Sequence, residues 1–428
     1  MDWHPWRAWA GWLSLVAVFA MAQVHRVTPA AMADPVMVDL GIGAGAFGLI
    51  AGMYYYAYAP TMIPGGALAD LVGPRRVASI GSGLAAIGAG LFGAAHSVWI
   101  ALLGRALIGA GLAVAFPCVM RYQHDRLPAR LFGALTGMVV GVTTIASLVA
   151  YTPLAVLVQN IGWRRSQYLV AVGTLAVGLV AWALVRDSAE PAEGAERPTV
   201  RAAIRQLLAG IRKVIGNRHS WPPFLIQVGN YGGLISFAGT WAVPYLTRVH
   251  GMTLVTASLY AQIPLVGMGI GGPLTGWISD RWRSRRVPAN LLSLVMVACW
   301  VPLVVMTPGR SALVPLLFVM GLAGGVIVTT ISSNNEVNRP ELAGAATAMV
   351  ATGGVVGAAA IQPIMGWVMD SAGMDVVGFR IGFLPGLAGA VVAAIASFYL
   401  LETRGRNLFA RPGSGYIGQD SEPAVIKS

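Results

Sequence analysis

The chain alternates long apolar runs with short polar breaks, and the length of the runs sets the reading. A helix rises 1.5 Å per residue and the hydrocarbon core of a bilayer is about 30 Å thick, so about 20 apolar residues cross it. Twelve such runs occur, at 8–33, 43–66, 77–95, 98–120, 131–157, 166–185, 223–246, 253–278, 288–307, 312–332, 342–368 and 381–401. The pattern predicts an all-α integral membrane protein with twelve transmembrane helices. The first run follows Arg7 and passes Ala20. That is too long for the core of a signal peptide, so the run counts as a helix that stays.

The longest break, 186–222, follows the sixth run and divides the chain into two six-helix halves, 1–185 and 223–406. Asp187 to Pro198 is acidic and rich in Pro and Ala, as in a linker. Beyond it Val200, Ile204, Leu207, Leu208, Ile211 and Ile215 recur near helical spacing, with Arg201, Arg205, Arg212 and Lys213 between them. That is a basic amphipathic helix, suited either to an anionic leaflet or to capping the bundle from below. Residues 407–428 have little apolar content and read as a disordered cytoplasmic tail.

With the N-terminus placed in the cytoplasm, 22 basic residues fall on cytoplasmic segments and five, Arg164, Arg165, Arg248, Arg310 and Arg380, on outer loops. Positive charge collects on the cytoplasmic side, so both termini are expected there, in a bacterial inner membrane. Composition agrees with a lipid solvent: 56% of the 428 residues are hydrophobic and 11% charged, against roughly 25% charged in soluble domains. The net charge of +12 lies in short loops rather than on one soluble face, which argues against a nucleic-acid partner. Cys118 and Cys299 stand in apolar runs and offer neither a disulfide framework nor metal spacing. No nucleotide-binding Gly-rich Lys-Ser/Thr loop occurs, nor the paired carboxylates or nucleophile set of an enzyme. The expectation is a monomer that needs a bilayer and a small-molecule substrate, with no cofactor and no metal.

An internal repeat refines the architecture. Gly66, Asp70, Arg75 and Arg76 follow the second run, and Gly276, Asp280, Arg285 and Arg286 follow the eighth, each 210 residues on. Repeats of this kind mark duplicated halves in transporters. The carboxylate four residues after a small residue sits at the membrane face, where it can bridge to neighbouring helix ends and hold the cytoplasmic side shut.

The two copies, which also include Gly73 and Arg281, resemble the loop signature G-x-x-x-D-R-x-G-R-[KR] of the major facilitator superfamily. Leu71 replaces the first arginine of the N-half copy, so the resemblance implies a weaker latch there. Gly162-Trp163-Arg164 is similar to the family's turn before its sixth helix, and Arg105 with Gly109 and Gly111 to its fourth-helix arginine motif. The resemblance implies two pseudo-symmetric six-helix halves that alternate access to a central site. In that fold the second, fifth, eighth and eleventh helices form the contact between halves. Gly137/Gly141, Gly267/Gly271 and Gly353/Gly357 are then candidate smooth faces for sliding.

No Asp or Glu lies in the middle of a predicted helix, which argues against cationic drugs and against a carboxylate proton relay. Arg26 and Arg105 do interrupt apolar runs. A guanidinium binds carboxylate or phosphate bidentately, so both are candidates for substrate charge. Alternatively Arg26 snorkels to the outer leaflet and Arg105 bonds helix carbonyls. His25 beside Arg26 can titrate near neutral pH or serve packing. Tyr54 and Tyr58 share a helix face and are candidate substrate contacts or an interfacial belt. Asn230, Tyr231, Gln262 and Gln362 are neutral candidates in the second half.

Tyr58-Ala-Pro-Thr-Met-Ile-Pro64-Gly65-Gly66 and Glu336-Val-Asn338-Arg-Pro340 are similar to the branch of organophosphate/phosphate antiporters and lysosomal dipeptide carriers, in which a first-helix arginine at the position of Arg26 binds substrate. Met62 replaces that branch's glutamine, and the seventh helix lacks its second arginine. The expectation is a secondary active or facilitative carrier of a small anionic or zwitterionic metabolite, an organic acid or short peptide. The alternative is a transporter-like sensor that binds ligand without moving it.

Overall fold

In the computed structural model, residues 5–187 and 200–409 are described, and among them there are helices and no strands. Seven spans are single helices: Pro5–Leu40, Ala44–Val72, Pro74–Gly93, Phe132–Ile161, Trp163–Leu184, Arg286–Val305 and Ala343–Ala372. The other five bend. The fourth runs Val98–Leu112 then Ala115–Arg126, the eighth Leu254–Ala261 then Ile263–Arg281, and the tenth Arg310–Gly324 then Ile327–Glu336. The twelfth runs Val376–Gly382 then Leu384–Phe398. The seventh joins Trp221–Ser236 to Ala242–Arg248 through a π turn, Phe237–Trp241. Pro244 denies Thr240 its usual i+4 partner, which accounts for the irregular turn just before it.

These are the twelve expected spans, in their expected order. Nine helices among the described residues are long and apolar enough, by length and composition, to cross a membrane. The first span outruns its expected end at residue 33. Its added turns carry Asp34 and Asp39, whose charges are met by the next layers: Asp34 pairs with Arg248 at 2.8 Å, and Asp39 accepts from Trp163 Nε1 at 2.7 Å. Gly162, at φ 80°, makes the one-residue turn that aims Trp163 there.

Both described chain ends lie on one face of the bundle, here the terminal face; the opposite one is the loop face. Across the halves the second span packs on the eleventh and the fifth on the eighth. The expected smooth faces are placed otherwise. Gly267 and Gly271 pack on the tenth span, and Gly353 and Gly357 on the seventh, all inside their own half. Methyls on Gly137 or Gly141 would meet nothing within 4 Å. The sliding seam is instead the second span against the eleventh. A methyl on Gly48 would come within 2.7 Å of the Gln362 carbonyl, and one on Gly366 within 2.3 Å of that of Ala44.

The basic helix of the break forms, Val200–Gly216. Val214 is fully buried beside Ala345, Ala346 and Met349, so this end of it caps the bundle. Asn217 Nδ2 donates to the Val337 carbonyl at 2.7 Å and fastens it to the second half. Asp187, the start of the expected linker, is ordered by the Arg75 N–H at 2.9 Å; the linker residues 188–199 lie outside the described residues. Of the expected tail, Asn407 bonds the carbonyls of Asn335 and Asn338. Residues 410–428 lie outside the described residues.

The duplicated loops lock each half internally, with different strength. In the first half Asp70 meets Arg121 at 3.5 Å on an exposed surface, and Arg75 Nε donates to the Trp182 carbonyl at 2.7 Å while lying over that ring. In the second, the Arg285 guanidinium bridges Asp280 at 2.6 Å and Glu336 at 2.8 Å, with Arg285 11% and Glu336 12% exposed. Burial lowers the Arg285 pKa, but hydrogen bonds to Glu336 and Asp280 overcome it and raise it above the usual arginine value. Glu402 accepts from Ser284 Oγ and from the Arg285 N–H. Although burial pushes its pKa up, these bonds carry it below the ordinary glutamate value. The substitution at Leu71 does not explain the weaker first copy, because its counterpart Arg281 makes no hydrogen bond or ion pair among the described residues. The difference lies in the partner, an arginine at 121 and a glutamate at 336.

Candidate substrate site

Arg26 sits deep in the bundle. The first helix continues to Leu40, so about 21 Å of helix separates Arg26 from its loop-face end. Its guanidinium turns inward onto the second span rather than along its own helix toward that end, so the structure favours the interior over the snorkelling alternative. The guanidinium donates through Nη1 to Gln23 Oε1 at 3.0 Å and lies 4.8 Å from the Tyr58 ring centre and 5.8 Å from that of Tyr54. Tyr54 and Tyr58 stack with centroids 5.5 Å apart. They hold the cation by its face, as π faces do, rather than line the cavity. Arg26 Nε is buried without a hydrogen-bond partner, and no carboxylate pairs with Arg26 among the described residues.

A cavity of about 50 Å³ opens beside that guanidinium, at the junction of the halves. Its first-half wall is Gln23, Arg26, Val27, Tyr55, Ser147 and Tyr151. Its second-half wall is Tyr231, Ile235, Gly239, Leu265 and Met268. Gly239 belongs to the π turn and faces the Arg26 carbonyl. The Tyr55 hydroxyl is buried and unpartnered, while Tyr151 donates to the Ala238 carbonyl at 2.8 Å and ties the fifth span to the seventh. The space holds a few waters.

Arg105 takes the helix-carbonyl alternative. Pro29 has no N–H for the carbonyl of His25, one turn earlier, and Arg105 Nη1 donates to that carbonyl at 3.0 Å. Nη2 donates to Ala51 O at 3.3 Å, and the guanidinium lies 5.3 Å from the Tyr54 ring centre. Fully buried, Arg105 ties the fourth span to the first and second. Gly109, one turn on, makes that packing close: a methyl there would come within 2.1 Å of the Tyr54 carbonyl. His25 turns away from the cavity and bonds Thr174 at 3.0 Å.

Of the second-half candidates, only Tyr231 lines the cavity. Asn230 bonds Ser293 at 3.0 Å inside its half. Gln262 reaches Thr152 at 2.9 Å across the halves, in the seam above the cavity. Gln362 is buried, and its carbonyl accepts from Trp241 Nε1 at 3.1 Å. Sequence reasoning missed Gln23, Tyr55, Ser147 and Tyr151. Two spacings pointed to them: Gln23 precedes Arg26 by three residues, and Ser147 precedes Tyr151 by four, each pair on one helix face.

The architecture defines a polytopic membrane protein of two six-helix bundles with a cavity at their junction. Residues 13–360 match the sequence profile of the Major Facilitator Superfamily, and the chain belongs to that family. It is 25% identical to a probable sulfoacetate transporter of Cupriavidus necator, over 62% of this chain and 63% of that one. It is 24% identical to a probable galactarate/D-glucarate transporter of Bacillus subtilis, over 90% of both. It is also 24% identical to a chloroplastic probable anion transporter of Oryza sativa subsp. japonica, over 88% of this chain and 74% of that one. In fold it is similar to a bacterial homologue of the human lysosomal transporter Spinster, with TM-score 0.77 and 16% identity over 96% of this chain and all of the other.

Proposed function

We propose that the chain carries a small organic anion across a membrane by alternating access, with Arg26 binding the anionic group. The carrying observation is a mid-span guanidinium, faced by two tyrosine rings, whose Nε has no partner beside a cavity between the halves. Burying such a charge unpaired is costly, and an anionic ligand relieves it. A carboxylate accepts two parallel N–H bonds from an arginine. A zwitterion is less well served, since the cavity lining offers no carboxylate to an ammonium. The relatives are named as transporters of anions and organic acids, and none as a sensor.

On this reading, segments 1–185 and 223–406 are the rocking bodies, and the basic loops place the terminal face and both termini in the cytoplasm, in a bacterial inner membrane. The cavity lies between the two halves of one chain, so a monomer suffices, without nucleic acid. The test is ligand-induced thermal stabilisation of the purified chain across carboxylates, sulfonates and phosphate esters. Arg26→Ala is expected to weaken the best anion about a hundredfold or more while the protein still inserts. Arg26→Lys restores part of it, because an ammonium lacks the fork. Unchanged affinity in Arg26→Ala overturns the reading.

A further inference from the structure

The two walls of the cavity differ in chemistry, and the difference narrows the substrate. Arg26 is the sole formal charge in the lining. The other mid-span cation, Arg105, has two of its nitrogens on backbone carbonyls and is fully buried elsewhere. The first-half wall carries the polar groups: the Arg26 fork, the free Tyr55 hydroxyl, Gln23 and Ser147. Opposite, Ile235, Leu265 and Met268 present hydrocarbon and a thioether, with the Tyr231 hydroxyl as the one side-chain polar group.

We infer that the substrate is a monoanion with an uncharged, apolar far end: its carboxylate sits on Arg26 in the first half, and its body lies against Ile235, Leu265 and Met268 of the second. This rests on the reading of Arg26 given above. A second carboxylate would have to leave water for a wall with no cation to meet it, and a desolvated unpaired charge is strongly disfavoured. A hydroxyl-covered tail would lose hydrogen bonds to the same wall. The division also couples binding to movement. The head engages one half and the body the other, so a complete contact needs both walls drawn together.

The experiment uses the full chain in detergent with four probes of matched size: 4-methylpentanoate, its primary amide, hexanedioate and L-galactonate. Dissociation constants are read by tryptophan fluorescence. The inference expects 4-methylpentanoate to bind at least tenfold more tightly than hexanedioate or L-galactonate, and the amide at least a hundredfold more weakly. Leu265→Arg, which places a cation on the apolar wall, is expected to reverse the order of monoacid and diacid. Diacid or polyhydroxy acid binding as tightly as the monoacid in the unmodified chain overturns this inference and leaves the anion site standing. Monoacid and amide binding alike overturns the anion site itself, and the inference with it. Binding by none of the four probes overturns both.

Discussion

The two faces of the bundle are joined in opposite ways. Toward the loop face, polar bonds cross between the halves: Asp370 accepts from the N–H groups of Ala44 and Gly45 at 2.6 and 2.8 Å, Arg248 pairs with Asp34, and Gln262 meets Thr152. At the terminal face, the ion pairs among the described residues stay within one half, Asp70 with Arg121 and Arg285 with Asp280 and Glu336. There Gly137 and Gly141 face open space. Among the described residues, the polar bonds between the halves thus gather toward the loop face, while the ion pairs of the terminal face stay within a half. The best buried of these ion pairs, Arg285 with Glu336, lies inside the second half, whereas Asp70 with Arg121 is as open to solvent as the pair across the seam. A rocking machine needs bodies stiffer than the seam between them, and the second half meets that demand with its buried Arg285–Glu336 pair.

The largest expected effect tests the stiffness of a body. Arg285→Met leaves Glu336, 12% exposed, without its cation. Removing one partner of a buried pair costs about 3 kcal/mol or more. The thermal unfolding midpoint of the purified protein is expected to fall clearly. Arg75→Met is the control from the weaker copy. Arg75 is half-buried, and its guanidinium rests on a carbonyl and an indole ring rather than on a carboxylate, so its loss is expected to cost about 1 kcal/mol or less. Equal losses would show that the two locks are equivalent and that the difference between Arg121 and Glu336 is immaterial.

How much of this was legible in the sequence depends on what each residue's neighbours decide. The twelve spans were, because length and apolarity settle them without a partner. Arg26 was, because a charge in an apolar run has few uses. The role of Arg105 was within reach, since Pro29 four residues after His25 announces a free carbonyl. The glycine faces were not: Gly-x-x-x-Gly states that something approaches closely, but not which helix. Nor was Tyr55, for a helix apolar all round gives no rotational phase, and Tyr54 and Tyr58 were equally good choices until the fold placed them beneath the guanidinium. Asp370 escaped because its partners are backbone N–H groups 325 and 326 residues away, which leave no side-chain signature.

The second prediction tests the seam at Asp370. Its carboxylate caps the first turn of the second span from the opposite half, meeting N–H groups that otherwise lack partners. A lost side-chain cap costs about 1 kcal/mol, or about fivefold in population. Asp370→Ala is expected to shift the protein toward the loop-face-open state by about that factor. Spin labels on cysteines at Val38 and Val377, both exposed near the loop face, report the separation of the halves. The native Cys118 and Cys299 are buried and stay shielded. A distance distribution unchanged by Asp370→Ala would remove the cap from the seam.

The smallest expected effect concerns the pair beside it, and it separates two ways of holding a seam. Arg248 and Asp34 meet at 2.8 Å, but their side chains are 36% and 37% exposed. Water competes for both charges, and ordering two long side chains offsets much of the attraction, so such pairs contribute about 0.2–1 kcal/mol. The Asp370 cap differs in kind. It satisfies backbone groups of fixed position and adds the favourable field of a helix N-terminus. Salt tells them apart, because exposed pairs are screened within about 3 Å at 1 M ionic strength. Arg248→Gln is expected to move the Val38–Val377 distribution by about twofold or less in low salt and not at all in 1 M salt, while the shift in Asp370→Ala persists in both. If Arg248→Gln moves the distribution as far as Asp370→Ala, and salt abolishes both shifts, the loop face is closed by surface charge rather than by a trans helix cap, and its seam is softer than the geometry implies.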